Sequence, residues 1–182
     1  ISQKYASSIS LRRCGNRFLN HRNNALLSLH IIACGRLRKG PEVELISDYL
    51  DRYEKTGRGL GLGPVSLIEV EDKRGGGMAA EAELLRKAIP KGAVTMILDE
   101  RGKLLSSIDF SQKISGWRDT GVQDLAILIG GADGIDPALR QEADFALSFG
   151  KMVWPHMLAR VMLSEQLYRA ASILGNAPYH RV

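Results

Sequence analysis

The sequence predicts an α/β fold, a mostly parallel sheet of about five strands covered by helices on both faces. Two observations carry this. Short apolar runs alternate strictly with stretches whose apolar residues recur at helical spacing, the order expected when each strand is followed by a crossover helix. The runs Leu-His-Ile-Ile-Ala-Cys at 29–34 and Leu-Ala-Ile-Leu-Ile at 125–129 are almost continuously apolar. Strands buried on both faces have that composition, whereas half-exposed strands alternate.

Taken in order, the first strand is expected over Leu29–Cys34. Pro41, with Glu42 and Glu44 behind it, opens a helix to about Lys55, since proline suits the first helical position and carboxylates suit the positive end of the helix dipole. Val43, Ile46, Leu50 and Tyr53 give that helix its apolar face. Gly57–Gly63 reads as a linker; its alternating glycines do not make a nucleotide loop, because Pro64 and a strand over Val65–Val70 follow instead of a helix. A charged, glycine-rich stretch, Glu71–Gly77, leads to a helix over about Met78–Ile89. The third strand runs from Gly92 to Leu98 and ends in Asp99-Glu100-Arg101-Gly102. A helix over Ser111–Arg118, a strand over Leu125–Ile129, a helix from Pro137 with Asp136 as its N-cap, a strand over Phe145–Phe149 and a helix over His156–Leu174 complete the pattern.

Composition narrows the class. At 182 residues and 45% hydrophobic content, the chain can bury a proper core in one domain. No run approaches the roughly 18 apolar residues of a membrane span, so no membrane partner is expected. Cys14 and Cys34 are the only cysteines, one in a polar stretch and one in a strand, which argues against a disulfide framework. The net charge of +5 is concentrated at the start: residues 1–26 hold Lys4, Arg12, Arg13, Arg17 and Arg22 and no acid, leaving 20 basic against 20 acidic residues in the rest. Any nucleic-acid face must therefore come from arrangement, and the segment after Gly150, with Lys151, Arg160, Arg169 and Arg181 against Glu165, is the expected place. Residues 1–27, rich in Ser, Arg and Asn, are expected to lie outside the fold as a disordered extension. Organelle import is the second reading of their composition, and residues 28–182 form the single domain.

Two loops follow apolar strands near the C-terminus. Gly130-Gly131-Ala132-Asp133-Gly134 sits between a strand and a helix, where glycines let a ligand approach the backbone, and also where a plain tight turn is common. Phe149-Gly150-Lys151-Met152-Val153-Trp154 precedes Pro155 and the last helix. An apolar loop with one aromatic suits a flat ring better than a phosphate; the alternative is that Met152 and Trp154 plug the core.

Six segments in one order resemble a known family: Leu98-Asp99-Glu100-Arg101-Gly102, Ile129-Gly130-Gly131-Ala132-Asp133-Gly134, Leu147-Ser148-Phe149-Gly150-Lys151-Met152, Trp154-Pro155-His156, Glu165-Gln166-Leu167-Tyr168-Arg169-Ala170 and Pro178-Tyr179-His180-Arg181. The chain is similar, over about Ser28–Val182, to the ribosomal large-subunit RNA pseudouridine N3-methyltransferases, of the trefoil-knot (SPOUT) class that uses S-adenosylmethionine. The resemblance implies a knot near residues 126–160, a homodimer packed partly through the last helix, and a cytoplasmic enzyme acting on 23S ribosomal RNA in the assembled ribosome. It carries the methyl-donor contacts onto Leu98, Gly130 and the loop Phe149, Gly150, Lys151, Met152, Val153 and Trp154, with no metal. Phe149 stands where many relatives have Leu, which keeps the apolar character.

The acceptor nitrogen that this activity implies carries a proton that must leave as the methyl arrives, so a base or an anion-stabilising cation is wanted. The candidates are His156, Arg160, Tyr179, His180 and Arg181. His156 and Arg160 are four apart on the last helix, as are Glu165 and Arg169, so ion pairing on the helix surface is the plain reading of both pairs. Met157, Leu158, Val161, Met162 and Tyr168 give the same helix an apolar stripe suited to a core or a dimer seam. Other readings of the chain are a SPOUT-class transfer-RNA methyltransferase and a ribosome-associated nucleotide-binding protein without catalysis.

Overall fold

The computed structural model describes residues 26–180. Five strands, β1 (Leu27–Cys34), β2 (Leu62–Val70), β3 (Val94–Leu104), β4 (Asp124–Ile129) and β5 (Phe145–Ser148), form one sheet in the order β2-β1-β4-β3-β5. Every pairing is parallel. Four helices connect them, α1 (Pro41–Gly57), α2 (Gly77–Ala88), α3 (Ser107–Asp119) and α4 (Pro137–Glu142), and α5 (His156–Leu174) follows the last strand.

The apolar continuity of β1 and β4 has a direct cause. Successive side chains point to opposite faces, and both faces are covered. Leu29, Ile31, Leu125 and Ile127 pack with Tyr53 of α1, Phe110 and Ile114 of α3, and Leu163 and Leu167 of α5. Ile32, Ala126 and Leu128 pack on the other face with Ala82 and Leu85 of α2 and Leu139 of α4. His30, within β1, spans the sheet: its ring lies 3.0 Å from the Ser66 hydroxyl on β2 and 2.8 Å from Asp124 at the start of β4.

Four boundaries differ from the sequence expectation, each for a local reason. Strand β1 begins at Leu27, which is fully buried and donates its N–H to the Gly61 carbonyl, two residues before the expected strand start. The expected Gly57–Gly63 linker is mostly ordered: α1 runs to Gly57, a 3₁₀ turn covers Arg58–Leu60, and β2 starts at Leu62. Pro64 is tolerated there because β2 is an edge strand. The register also slips by one residue between the Leu27–Leu62 and Leu29–Val65 pairs, a bulge that absorbs the proline. Helix α3 starts at Ser107 because Ser106 and Asp109 form a reciprocal capping box, Asp109 N–H to Ser106 Oγ at 3.1 Å and Ser106 N–H to Asp109 at 3.3 Å.

The fourth difference shapes the site. Strand β3 continues past Leu98, but both Leu98 and Lys103 pair with Leu147 of β5, so Asp99–Gly102 is thrown out of the ladder. Gly102 closes this excursion where a Cβ would lie 2.7 Å from the Leu147 carbonyl carbon and 2.8 Å from the Ala146 backbone. Neither backbone can yield without breaking the β3–β5 pairing. We predict that Gly102→Ala lowers stability by about 1–3 kcal/mol in urea unfolding. Gly59→Ala, which meets no atom within 4 Å, should stay within about 0.5 kcal/mol of the parent.

Candidate functional site

In an all-parallel sheet the C-terminal ends of all strands lie at one edge, where open α/β sheets bind ligands. Here the β3 excursion and the loops after β4 and β5 meet there around a cleft of about 230 Å³. Leu98, Asp99 and Glu100 form one wall; Gly131, Asp133 and Gly134 another; Phe149, Gly150, Met152, Val153 and Trp154 the third. The walls are tied to one another. Arg140 of α4 holds Asp99, itself 5% exposed, at 2.7 Å, and the Ser148 hydroxyl lies 3.1 Å from the Glu100 carbonyl and 3.0 Å from that of Gly150. The Gly150 N–H returns a bond to that hydroxyl.

Six of the eight residues expected at a donor site line this cleft: Leu98, Phe149, Gly150, Met152, Val153 and Trp154. Met152 and Val153 are 70% and 83% exposed, so the loop does not plug the core and its apolar side chains are available to a ligand. Lys151, between two lining residues, is exposed and does not itself line the cleft. Gly130 lies beneath the lining, and a Cβ on it would meet the Gly134 carbonyl oxygen at 2.2 Å. Its missing side chain therefore makes room for the loop's own backbone. The glycines that face open space are Gly134 and Gly150, both at positive φ (85° and 126°) and with no atom within 4 Å of an added Cβ. Sequence reasoning missed Asp99, Ser148 and Arg140 as parts of the site, because partners 41 and 48 residues apart leave no local signal.

Beside the cleft, the start of α5 is packed on the end of β1. Arg160 is 1% exposed. Its guanidinium donates to the Cys34 and Gly35 carbonyls and to Glu69 of β2 at 3.3 Å, while its Nε has no partner among the described residues. This corrects the reading of His156 and Arg160 as a helix-surface pair. His156 Nε2 lies 3.7 Å from where a Gly35 Cβ would stand. Burial, then the Arg160 charge, hold the His156 pKa below its usual 6.5, with Glu81 opposing. Cys34 is buried next to the same groups, and burial with the Glu81 carboxylate pushes its thiol up to about 12.

The tail turns back along α5. Tyr179 stacks on Tyr168 with centroids 4.5 Å apart, donates its hydroxyl to Glu165 at 3.0 Å, and lies under the Arg169 guanidinium at 4.9 Å. Burial and the Glu165 bond raise its pKa, so it stays a phenol. The His180 ring nitrogens are shielded from solvent and without partners among the described residues; Arg181 lies outside the described residues. None of His156, Arg160, Tyr179 and His180 lines the cleft. Glu165 instead lines a neighbouring groove of about 430 Å³ between α1, α3 and α5, which shares Leu147 and Phe149 with the cleft. The helix buries Leu163, Leu167, Ala170 and Ala171, and the expected stripe Met157, Leu158, Val161, Met162 and Tyr168 flanks that buried line in partly open positions.

Of the cations expected to form a basic surface after Gly150, Lys151 is exposed, Arg181 lies outside the described residues, and the other two are held by acids. Arg160 is buried against Glu69, and Arg169 is held by Glu165 at 2.9 Å. Among the described residues, no helix is long and apolar enough to cross a membrane, and no group of three or more His, Cys, Asp and Glu is arranged to hold a metal.

Comparison with known proteins identifies the family. The family model described as "Predicted SPOUT methyltransferase" matches residues 27–180, and the chain belongs to this family of methyltransferases. Membership implies the trefoil knot expected over residues 126–160, the segment carrying β4, α4, β5 and the start of α5. More particularly, the chain is 68% identical over 156 residues to the ribosomal RNA large subunit methyltransferase H of Ruegeria pomeroyi, covering 86% of this chain and 100% of that one. It is 68% identical over 155 residues to the protein of the same name from Roseobacter denitrificans, covering 85% and 99%. Among solved structures it is similar to the SpoU methyltransferase AviRb from Streptomyces viridochromogenes in complex with AdoMet, at TM-score 0.36 and 16% identity over 80% of this chain and 57% of that one.

Two predictions follow from the geometry. Gly130→Val drives a branched side chain into the Gly134 backbone, so both melting temperature and donor affinity should fall. Gly134→Val leaves the core untouched, and calorimetry should show donor affinity at least tenfold weaker, with about 1–2 kcal/mol lost to strain at positive φ. Because the folded pKa of His156 is depressed, the unfolded chain binds the proton more readily below about pH 6.5, so this residue lowers stability as pH falls through that value. His156→Gln should flatten the dependence of urea stability on pH between about 7.5 and 5.

Proposed function

We propose that this chain is an S-adenosylmethionine-dependent methyltransferase that methylates N3 of a pseudouridine in 23S ribosomal RNA, on the assembled ribosome and in the cytoplasm, as a homodimer. The observation that carries the reading is the cleft itself, with open glycines, strand-end backbone and an exposed apolar loop at the C-terminal edge of a SPOUT methyltransferase sheet. The names of the relatives supply the substrate class.

The residues fit the donor. Leu98, Met152, Val153 and Trp154 offer apolar contact to a neutral ring, and Gly134 and Gly150 leave space over the backbone. Glu100 and Asp133 place carboxylates on the walls, which suits a cation. Gly130 keeps the loop in shape, and Lys151 marks the rim. When bound, the donor supplies an electrophilic methyl group on a sulfonium.

The acceptor's N3–H must lose its proton near these walls. His156, neutral at pH 7 by virtue of its lowered pKa, can accept one, and Arg160 enters as a positioning residue that fixes the start of α5 beside the cleft. Tyr179, still a phenol, is suited to stacking and donation; His180 and Arg181 complete the tail's candidates for proton transfer and phosphate contact. Two routes bring the tail to an acceptor: release from Glu165 within one chain, or contribution to the cleft of a second copy. The exposed Leu45 and Leu104 (45% and 60%) that line the groove beside Tyr179 support a second copy there.

Tritiated donor with ribosomes from a strain lacking its own enzyme, followed by nucleoside analysis, tests the reading; label confined to transfer RNA, or no label, overturns it. A chain ending at Pro178 loses the Tyr179–Glu165 bond and its stacking. It should unfold about 1–2 kcal/mol more easily, bind the donor normally and transfer methyl groups at least a hundredfold more slowly, by the usual cost of losing a proton-transfer group, about 10²–10⁴. Mixing it with a Gly134→Val chain should restore turnover if the tail acts on the partner's cleft, and leave it absent if each tail serves its own.

A further inference from the structure

The proposed function requires RNA to lie across the C-terminal edge of the sheet, yet two of the cations expected to hold it, Arg160 and Arg169, are committed to Glu69 and Glu165. Two other loops at that edge are basic. Arg36, Arg38 and Lys39 follow β1, and Lys73 and Arg74 follow β2; all five side chains are exposed. The acids that flank the second loop are occupied. Glu69 accepts from the Leu37 N–H and from Arg160, Glu71 pairs with Arg36 at 3.4 Å, and Asp72 accepts from the Arg74 and Gly76 backbone. Arg38, Lys39, Lys73 and Arg74 form no ion pair among the described residues, with Glu42 and Glu44 of the following helix included.

Their place relative to the cleft is set by the sheet. Strand β1 is the direct neighbour of β4, so the loop after β1 starts about 5 Å from the strand whose end lines the cleft. Arg160 ties that loop to α5 through the Cys34 and Gly35 carbonyls, and α5 follows directly on the exposed Met152, Val153 and Trp154. The Arg36–Glu71 pair joins the two basic loops to each other. Exposed cations on a fixed frame, next to an apolar and aromatic surface, suit a phosphate backbone with splayed bases.

We propose that Arg38, Lys39, Lys73 and Arg74 form the phosphate-binding face that holds ribosomal RNA over the donor cleft. The face supplies affinity and registers the strand, and base selection is left to the cleft. The proposal rests on the rRNA reading above.

The test is equilibrium binding of the full chain to large ribosomal subunits across a salt series. Arg38→Gln with Lys39→Gln, and Lys73→Gln with Arg74→Gln, should each weaken binding tenfold or more. Each should also make log K against log salt shallower by about 1–2, the loss of one or two phosphate contacts. Melting temperature, donor affinity and turnover at saturating ribosomes should be unchanged. Lys87→Gln with Lys91→Gln, at the opposite edge, should bind as the parent does. Parental binding and salt slope in both loop variants, or equal weakening in the control, overturns the proposal. If the parent labels pseudouridine while the loop variants bind normally, this face is wrong and the enzymatic reading stands. If the loop variants lose binding while the parent transfers no methyl group, the face stands and the enzymatic reading falls.

Discussion

The contact on which the rest of the structure depends is the buried guanidinium of Arg160. Taking an arginine out of water costs several kcal/mol unless its donors are satisfied, and here two carbonyls at the end of β1 and the Glu69 carboxylate of β2 accept from its two terminal nitrogens. Burial works against the charge and Glu69 supports it. One side chain thereby joins α5, β1 and β2 at the edge where ligands bind. It decides where the loop after β1 leaves the sheet, where α5 begins, and so where Trp154 and His156 stand. A carbonyl at a strand's C-terminal end would otherwise need water, and water there would open the wall behind the cleft.

The glycines separate into two physical kinds. Gly102, Gly130 and Gly131 are small because protein occupies the space a Cβ would take: the β5 backbone, the Gly134 carbonyl and the Glu81 carboxylate. Gly134 and Gly150 are glycines because of positive φ, and the space above them is open. The first kind folds the loops around the cleft; the second leaves room inside it. A sequence shows both as the same letter.

Much of the fold was legible. The proline and acids at the head of α1, the Asp136 cap of α4 and the continuous apolar runs of β1 and β4 are local signals, and the observed elements follow them. The loop Phe149–Trp154 was legible as one unit for a similar reason, since six consecutive residues before a helix-starting proline must be presented together. The signals that misled were local ones with two outcomes. The pair His156 and Arg160 has helix-surface spacing, but spacing does not say that β1 and β2 end opposite that turn.

The sequence by itself determined the element types, their alternation, the two-faced burial of the central strands and the family, because each follows from periodicity or from short contiguous motifs. Only the tertiary structure decided the strand order, the excursion of Asp99–Gly102, the use of Arg160 as an internal clamp and the return of Tyr179 onto Glu165 and Arg169. These rest on contacts between residues distant in the chain, and on competition for the same carboxylates. A cation's role is set by which acid reaches it first in space, and no count of charges along the chain contains that distance.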